Sequence, residues 1–306
     1  MESKVIQERM VYINGEMVPE NEATISIFDS AVLIGDAVLE TTRTFNHKLF
    51  RWTEHRNRLL RSIKGAQLSF DLTPKKLDEV TQEFLLANLP TLAAGDEGGV
   101  GHLISRGRMG LVLPSTASTF VMYFFPLSRG LKKKAIYYEK GCHVVTPATR
   151  HMHPLTVDPK IKYRSRLHFS LADAEARLVD PEAIPLMLDH QGNLTEGTGW
   201  NFFLVCRGEL LTPSERNILQ GVSRLTTIEL ARGLGLTVKE QDLQSYHAVT
   251  ADEAFITSTG MCMMPVTQFN GQLIGDGKPG ELTLDLMNRW KEYVNFDFVA
   301  HAKRFL

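Results

Sequence analysis

Short runs in which apolar and polar residues alternate open the chain, and stretches with apolar residues three and four apart follow them. Val11-Tyr12-Ile13 and Glu16-Met17-Val18 flank Asn14-Gly15, a dipeptide that accepts the positive φ of a tight turn, so residues 11–18 are predicted to form a hairpin. A second hairpin is expected over residues 38–52, turning around Asn46-His47-Lys48. Thr53 is then expected to cap a helix whose apolar stripe includes Leu59, Leu60, Ile63 and Leu68. Thr73-Pro74 opens another helix, because proline at the first helical position gives up an N–H that has no partner there. Further strands are expected at residues 101–105 and 118–125.

The pattern lapses over residues 126–134, where proline, serine, glycine and three successive lysines form the best linker in the chain. Lys132-Lys133-Lys134 reads as a solvated connection rather than an anion patch. The expected organisation is a small N-terminal domain over residues 1–126, a linker over 127–135 and a larger domain over 136–306. In the larger domain strands are expected from Ile136 onward and at 186–189, 201–206 and 253–257. Helices are expected at 166–178, 223–234 and 282–293. Gln191-Gly192-Asn193, Arg207-Gly208 and Asn270-Gly271 make turns too short for crossover helices, so the fold class is α/β of the α+β kind, with mixed or antiparallel pairing.

Composition narrows the function. The 306 residues carry 34 basic and 35 acidic side chains, a formal charge of −1, which leaves no electrostatic footprint for nucleic acid or an anionic membrane. The densest apolar run, 120–125, is far shorter than the roughly 20 residues that span a bilayer. Met1-Glu2-Ser3-Lys4 lacks the apolar core of a signal peptide, and three scattered cysteines suit a reducing compartment, so a cytoplasmic protein acting on small molecules is expected.

Several familiar signals are missing: a Walker loop, HExxH and GxSxG. Gly275-Asp276-Gly277-Lys278-Pro279-Gly280 has the form GxGxxG but lies too near the C-terminus for a nucleotide-binding βαβ unit, and reads as a turn. His151-Met152-His153 has no third ligand at a recognisable spacing, so it reads as a polar loop and no metal is expected. What remains are polar residues at element ends. Lys160 and Lys162 precede a helix. Glu196 lies between a hairpin strand and the Gly-rich Gly197-Thr198-Gly199. Gly221-Val222-Ser223 leads into a helix, where bare N–H groups and a hydroxyl suit a phosphate. Thr257-Ser258-Thr259-Gly260 ends a strand, either to hold an anion or merely to turn.

In chain order, these segments resemble the class-IV, fold-type-IV pyridoxal-phosphate enzymes, which include branched-chain and D-amino-acid aminotransferases, (R)-amine transaminases and aminodeoxychorismate lyase. The likeness covers nearly the whole chain, from Val11-Tyr12-Ile13-Asn14-Gly15 through Gly35-Asp36-Ala37-Val38-Leu39-Glu40 and Glu54-His55-Arg56-Asn57-Arg58-Leu59 to Gly275-Asp276-Gly277. It implies that Lys162 bonds the cofactor as an imine and shuttles a proton, a task that needs an amine made basic by desolvation or nearby cations. It implies that Glu196 faces the pyridine nitrogen and keeps it protonated. Arg58 resembles the arginine that grips the phosphate, with Val222, Ser223 and Thr259 adding donors, while His55 is expected to brace Arg58.

On the substrate side the resemblance points to Arg43, Arg106, Leu39 and Gly260, although each arginine also suits a salt bridge and Leu39 a buried strand face. The family tyrosine five residues after the lysine is Leu167 here. After Arg106-Gly107 the chain reads Arg108-Met109-Gly110-Leu111, without the Arg-Asn-His carboxylate trap of bacterial D-amino-acid enzymes, and 35–40 lacks the His and Tyr pattern of many fungal (R)-amine enzymes. The implied activity is ping-pong transfer from an apolar, branched-chain-like donor to a 2-oxo acid. The alternatives are D-amino-acid or (R)-amine donors, or a lyase, since Ile161-Lys162-x-x-x-Arg166-Leu167 occurs in aminodeoxychorismate lyase as well. The resemblance also implies a homodimer or larger assembly and a cofactor lying between the domains.

Overall fold

The computed structural model describes residues 8–109 and 117–306. The chain divides into two compact units, one running to Gly130 and taking back Ile161–Ser165, the other made of Leu131–Lys160 and Arg166–Leu306.

The first unit contains β1 (Met10–Ile13), β2 (Glu16–Pro19), α1 (Ser30–Leu33), β3 (Ala37–Phe45), β4 (Lys48–Leu49), α2 (Trp52–Gly65), α3 (Pro74–Asn88), β5 (Gly98–Ser105) and β6 (Thr119–Pro126), and α4 (Ser128–Leu131) follows. Its strands form one antiparallel sheet in the order β2-β1-β6-β5-β3-β4. Both expected hairpins are present, and the turn residues Asn14, Gly15, Asn46 and His47 have the positive φ that such short turns demand. Leu59 and Ile63 of α2 and Leu77, Val80, Phe84 and Leu85 of α3 join Val38, Val100, Ile104, Met122 and Phe124 of the sheet in one buried cluster.

The two helix starts differ from each other. Thr73 caps α3 as expected, its hydroxyl accepting from the Lys76 N–H at 3.2 Å. Thr53 does not cap α2. The cap is Arg51, in left-handed conformation (φ 47°), because the chain must reverse sharply after β4, and the helix has already begun at Trp52. Arg51 instead grips Glu54 of the first turn at 2.7 Å.

The second unit contains α5 (Tyr137–Lys140), β7 (Cys142–Val145), α6 (Leu167–Val179), β8 (Ile184–Leu188), β9 (Leu194–Gly197), β10 (Asn201–Cys206), β11 (Glu209–Pro213), α7 (Val222–Gly233), β12 (Val238–Gln241), α8 (Ser245–Val249), β13 (Glu253–Ser258), β14 (Cys262–Phe269), β15 (Gln272–Leu273), α9 (Glu281–Val294) and α10 (Phe298–Lys303). The strand expected from Ile136 begins only at Cys142. A helical turn, α5, comes first and ends at Gly141 (φ +74°), where any Cβ would lie 2.3 Å from the Thr267 methyl.

The sheet runs β12-β11-β10-β13-β14-β7-β8-β9, with β15 on β14. It mixes antiparallel hairpins with parallel β7–β8, β7–β14 and β11–β12 pairs. Because β9 also pairs with β10, the path β10-β13-β14-β7-β8-β9 returns to its start, and the closing pair is Glu196 with Asn201. Stacked Phe203 and Phe255 are fully buried in this sheet, and α7 and α9 pack on β13. The Gly275–Gly277 segment is a turn, with both glycines at positive φ. Among the described residues no helix is long and apolar enough to cross a membrane.

Candidate active site

In the first unit, Ile161–Ser165 lies along the start of β3. Val38 bridges Tyr163, Leu39 N–H donates to the Lys162 carbonyl at 2.8 Å, and Arg164 N–H donates to the Ala37 carbonyl at 2.7 Å. The Ser62 hydroxyl of α2 accepts from the Lys162 N–H at 3.0 Å. Thus a residue in an irregular stretch has its backbone hydrogen-bonded on both sides, to β3 and to α2.

One residue past Leu39, the wholly buried Glu40 forks onto Arg58, at 2.9 Å to Nε and 2.6 Å to Nη2, and meets His55 Nδ1 at 2.9 Å. Burial alone raises a carboxyl pKa, but the Arg58 guanidinium and then His55 overcome it and hold Glu40 well below the usual carboxylate range. His55 is lowered, chiefly by burial, with the charges of Arg58 and Lys162 adding to the effect against Glu40. His102 lies opposite Glu40 in the β3–β5 register and stacks on Trp52. Burial lowers it to about 4, so it is a neutral core residue.

In the second unit, Glu196 stands at the closure of the strand path. Its Oε1 accepts from the Leu219 N–H at 3.1 Å and its Oε2 from the Asn201 amide at 3.2 Å. That amide also donates to the Leu219 carbonyl at 3.0 Å, so Asn201 ties the glutamate to the segment entering α7. Two residues beyond Leu219, Gly221 precedes α7, and no side chain caps the helix. A Cβ on Gly221 would lie 2.1 Å from Asn201 Oδ1, so this close approach requires glycine. The first N–H groups of the helix, including those of Val222 and Ser223, have no intrahelical acceptor. On β13, opposite Asn201, the buried Thr257 hydroxyl makes no hydrogen bond among the described residues. Thr259 and Gly260 follow at the turn into β14, both partly buried.

The sequence candidates therefore fall into two groups. Arg58 and Lys162 lie together in the first unit, Glu196, Val222 and Ser223 share a frame in the second, and Thr259 and Gly260 end β13 there. Arg43 is buried in β3, with its guanidinium 4.1 Å over the Phe45 ring and its Nε donating to the Thr44 carbonyl. Arg106 binds Asp36 at 2.7 Å and donates to the Ala66 and Gln67 carbonyls. Leu39 is buried. Lys160 is partly exposed and pairs with Asp158 at 3.0 Å. Gly110 and Leu111, in the stretch after Arg106, lie outside the described residues.

Sequence reasoning missed Glu40, Asn201, Ser62 and His151. Glu40 was visible only as the last residue of the Gly35–Glu40 stretch, in a strand with four further polar residues, Thr41, Thr42, Arg43 and Thr44. His151 was read with His153, yet the two face different neighbours: His151 lies 3.2 Å from Glu196, whereas the His153 ring lies 5.2 Å from that of His190.

The sequence profile of the amino-transferase class IV family matches residues 37–269, a span that holds every element just described around Glu40, Lys162, Glu196 and α7. The chain belongs to the class-IV aminotransferases. It is 30% identical over 284 residues, 92% of its length and 95% of the relative's, to a Methanocaldococcus jannaschii protein bearing a provisional branched-chain-amino-acid aminotransferase name. A D-alanine aminotransferase of Bacillus licheniformis is also 30% identical, over 89% of this chain and 93% of that protein. The branched-chain amino acid aminotransferase of Escherichia coli superposes with a TM-score of 0.84 at 26% identity, covering 94% of each chain. A T.th. branched-chain amino acid aminotransferase, solved with pyridoxamine 5′-phosphate, has the same fold at 24% identity, with a TM-score of 0.83 over 94% of this chain and 95% of the other. This class-IV aminotransferase accordingly has the fold-type-IV architecture, and class-IV aminotransferases as a family use pyridoxal phosphate to move amino groups between amino and oxo acids.

Proposed function

We propose that this aminotransferase holds pyridoxal 5′-phosphate with Arg58, Lys162, Glu196, Val222, Ser223 and Thr259. One observation carries the reading. In one frame, a carboxylate accepts from an amide and from a backbone N–H, and the residue giving that N–H lies two positions of chain before an uncapped helix start. An ionised carboxylate offers about four acceptor positions, and two donors leave it able to take a ring N–H. A bare helix N-terminus favours an anion. The residues present therefore fit a molecule that is protonated on its ring and phosphorylated at its tail.

When bound, the cofactor supplies an electron-accepting ring that stabilises negative charge at the substrate α-carbon. Glu196 holds the proton on the ring nitrogen. Ser223 and the first N–H groups of α7 take the phosphate, and Arg58, its plane fixed by the Glu40 fork, adds a charge-assisted bond. Lys162, anchored through Ser62 and Leu39, bonds the cofactor and moves the proton at the α-carbon.

The donor we favour is an apolar, branched-chain-like L-amino acid, with a 2-oxo acid as acceptor. Branched-chain enzymes among the relatives and the apolar Val38 and Leu39 support this. We assign Arg43, Arg106, Leu39 and Gly260 to the substrate side. The equal identity to a D-alanine aminotransferase supports D-amino acids as the second reading. Exposed Ile27, Phe28, Val32, Leu33 and Ile34 support a homodimer or larger assembly, and three cysteines outside any disulfide support a cytoplasmic setting.

Borohydride reduction followed by peptide mapping tests the site: the reduced adduct is expected on Lys162, and Lys162→Ala is expected to abolish both the adduct and the visible absorption band. An adduct on Lys160, or none, overturns the assignment. Half-reactions with L-leucine, D-alanine and (R)-1-phenylethylamine test the donor, L-leucine being expected to convert the bound cofactor. If L-leucine leaves the band unchanged, the branched-chain reading fails.

A further inference from the structure

His151 is a buried residue that the site described above does not use. Its ring is about 2% exposed, and its backbone N–H is tied to the Leu188 carbonyl at 2.9 Å. Phe169 lies against it with ring centroids 6.0 Å apart, and His168 meets it edge-on at 6.1 Å. Burial, with the charges of His151 and Arg166, lowers His168 to about 4, so the nearest titratable neighbour on α6 is neutral.

Each nitrogen of His151 faces an oxygen that can only accept. Nε2 lies 3.2 Å from Glu196 Oε1, and Nδ1 lies 3.3 Å from the Met152 carbonyl. The Nε2 contact is within ion-pair range but off the line of a hydrogen bond, and Nε2 counts among the buried atoms without a hydrogen-bond partner. The ring has two neutral tautomers. With the proton on Nδ1, that N–H donates to the Met152 carbonyl, but a bare Nε2 lone pair then opposes the Glu196 carboxylate. With the proton on Nε2, a bare Nδ1 lone pair opposes a neutral carbonyl that is farther away. A bare lone pair 3.2 Å from a carboxylate costs more than the long bond to the carbonyl returns, so the tautomer that presents Nε2–H to Glu196 is favoured. Contacts of this kind in a ligand-free site tighten once the ligand is seated.

We propose that His151 is a positioning residue for Glu196, its Nε2–H acting as the third donor that orients the carboxylate, beside Leu219 N–H and the Asn201 amide. Those two hold one edge of the carboxylate each. A third donor on Oε1 directs the remaining lone pairs toward the incoming ring and keeps the group from rotating about its last bond. The inference rests on the reading that Glu196 faces the cofactor's ring nitrogen.

Two substitutions separate donor from bulk. His151→Gln puts an amide N–H near the place of Nε2, and His151→Asn reaches only the place of Nδ1. On holoenzyme, His151→Asn is expected to raise the dissociation constant of pyridoxal phosphate about tenfold or more and to shift the bound absorption band, as loss of a hydrogen bond to a charged group predicts. His151→Gln is expected to stay within about threefold of wild type with an unshifted band. Equal weakening by both, or by neither, overturns the proposal. In wild-type holoenzyme labelled with nitrogen-15 at histidine, NMR is expected to find His151 protonated at Nε2, and a bare Nε2 overturns it independently of any variant. Glu196→Gln run in parallel tests the underlying reading. If that variant keeps full cofactor affinity and an unshifted band, the role of Glu196 itself fails; if it loses both while His151→Asn loses neither, only the role of His151 fails.

Discussion

Two buried glutamates, Glu40 in the first unit and Glu196 in the second, are held by different kinds of donor. Glu40 accepts from a bidentate arginine, a histidine and the backbone N–H of Thr41, and the arginine balances its charge within the fold. Glu196 is held by a backbone N–H and a side-chain amide, with one histidine set off line. Neutral donors orient a carboxylate without cancelling its charge. The first arrangement immobilises an arginine; the second keeps a negative charge ready for an incoming cation. A buried acid that is fully paired belongs to the architecture, whereas one held by neutral groups points to a ligand.

The largest effect expected from this contrast concerns stability. Glu40→Ala leaves Arg58 buried without its carboxylate, which costs about 3–5 kcal/mol, read as a lower urea midpoint. A loss below 1 kcal/mol would show that Glu40 is not the keystone of its cluster.

Next in size is a pH effect confined to the first unit. The folded pKa of His102, about 4, lies below its ordinary value of 6.5, so the unfolded chain takes up the proton first as pH falls. Its contribution is intact above pH 6.5 and is lost on the way down to pH 4, a total of about 3 kcal/mol. The depressed Glu40 acts in the same direction from its ordinary 4.5 downward. Urea titrations at pH 7 and pH 4 are expected to show the loss in wild type and a flatter response in His102→Gln. An unchanged slope would remove His102 as its source.

The smallest stability effect should come from Glu196→Gln, about 1 kcal/mol, since one amide oxygen still accepts from Leu219 or Asn201. The same variant is expected to lose cofactor affinity. A large stability loss with intact affinity would reverse the comparison and make Glu196 the structural acid.

Much of the local structure was legible because its causes are local. Asn14-Gly15 sets a hairpin through two positive φ values, and Thr73-Pro74 sets a helix start through one hydroxyl and one missing N–H. Thr53 offered the same signal and failed, because the reversal after β4 placed Arg51 at the cap. Gly141 delayed a strand for a reason located more than 120 residues away, at Thr267. Lys162, Glu196, Arg58 and the Gly221-Val222-Ser223 segment were legible as motifs in a family order. Their partners were not. His151 sat in a His-x-His pattern that read as a polar loop, and only the path of β8 and β9 turned it toward Glu196.

The sequence by itself determined the hairpins, the main helices, the family and the residues that bear chemical groups, since each depends on neighbours in the chain or on a fixed order of short motifs. Tertiary structure alone decided that Ile161–Ser165 belongs beside β3, that Arg58 is gripped by Glu40, and that Asn201 closes a path of strands on Glu196. Those outcomes depend on residues that are 18 to more than 100 positions apart in some cases and only five in another. What joins them is strand register and burial, which select partners by position in space and leave no period or spacing in the sequence to read.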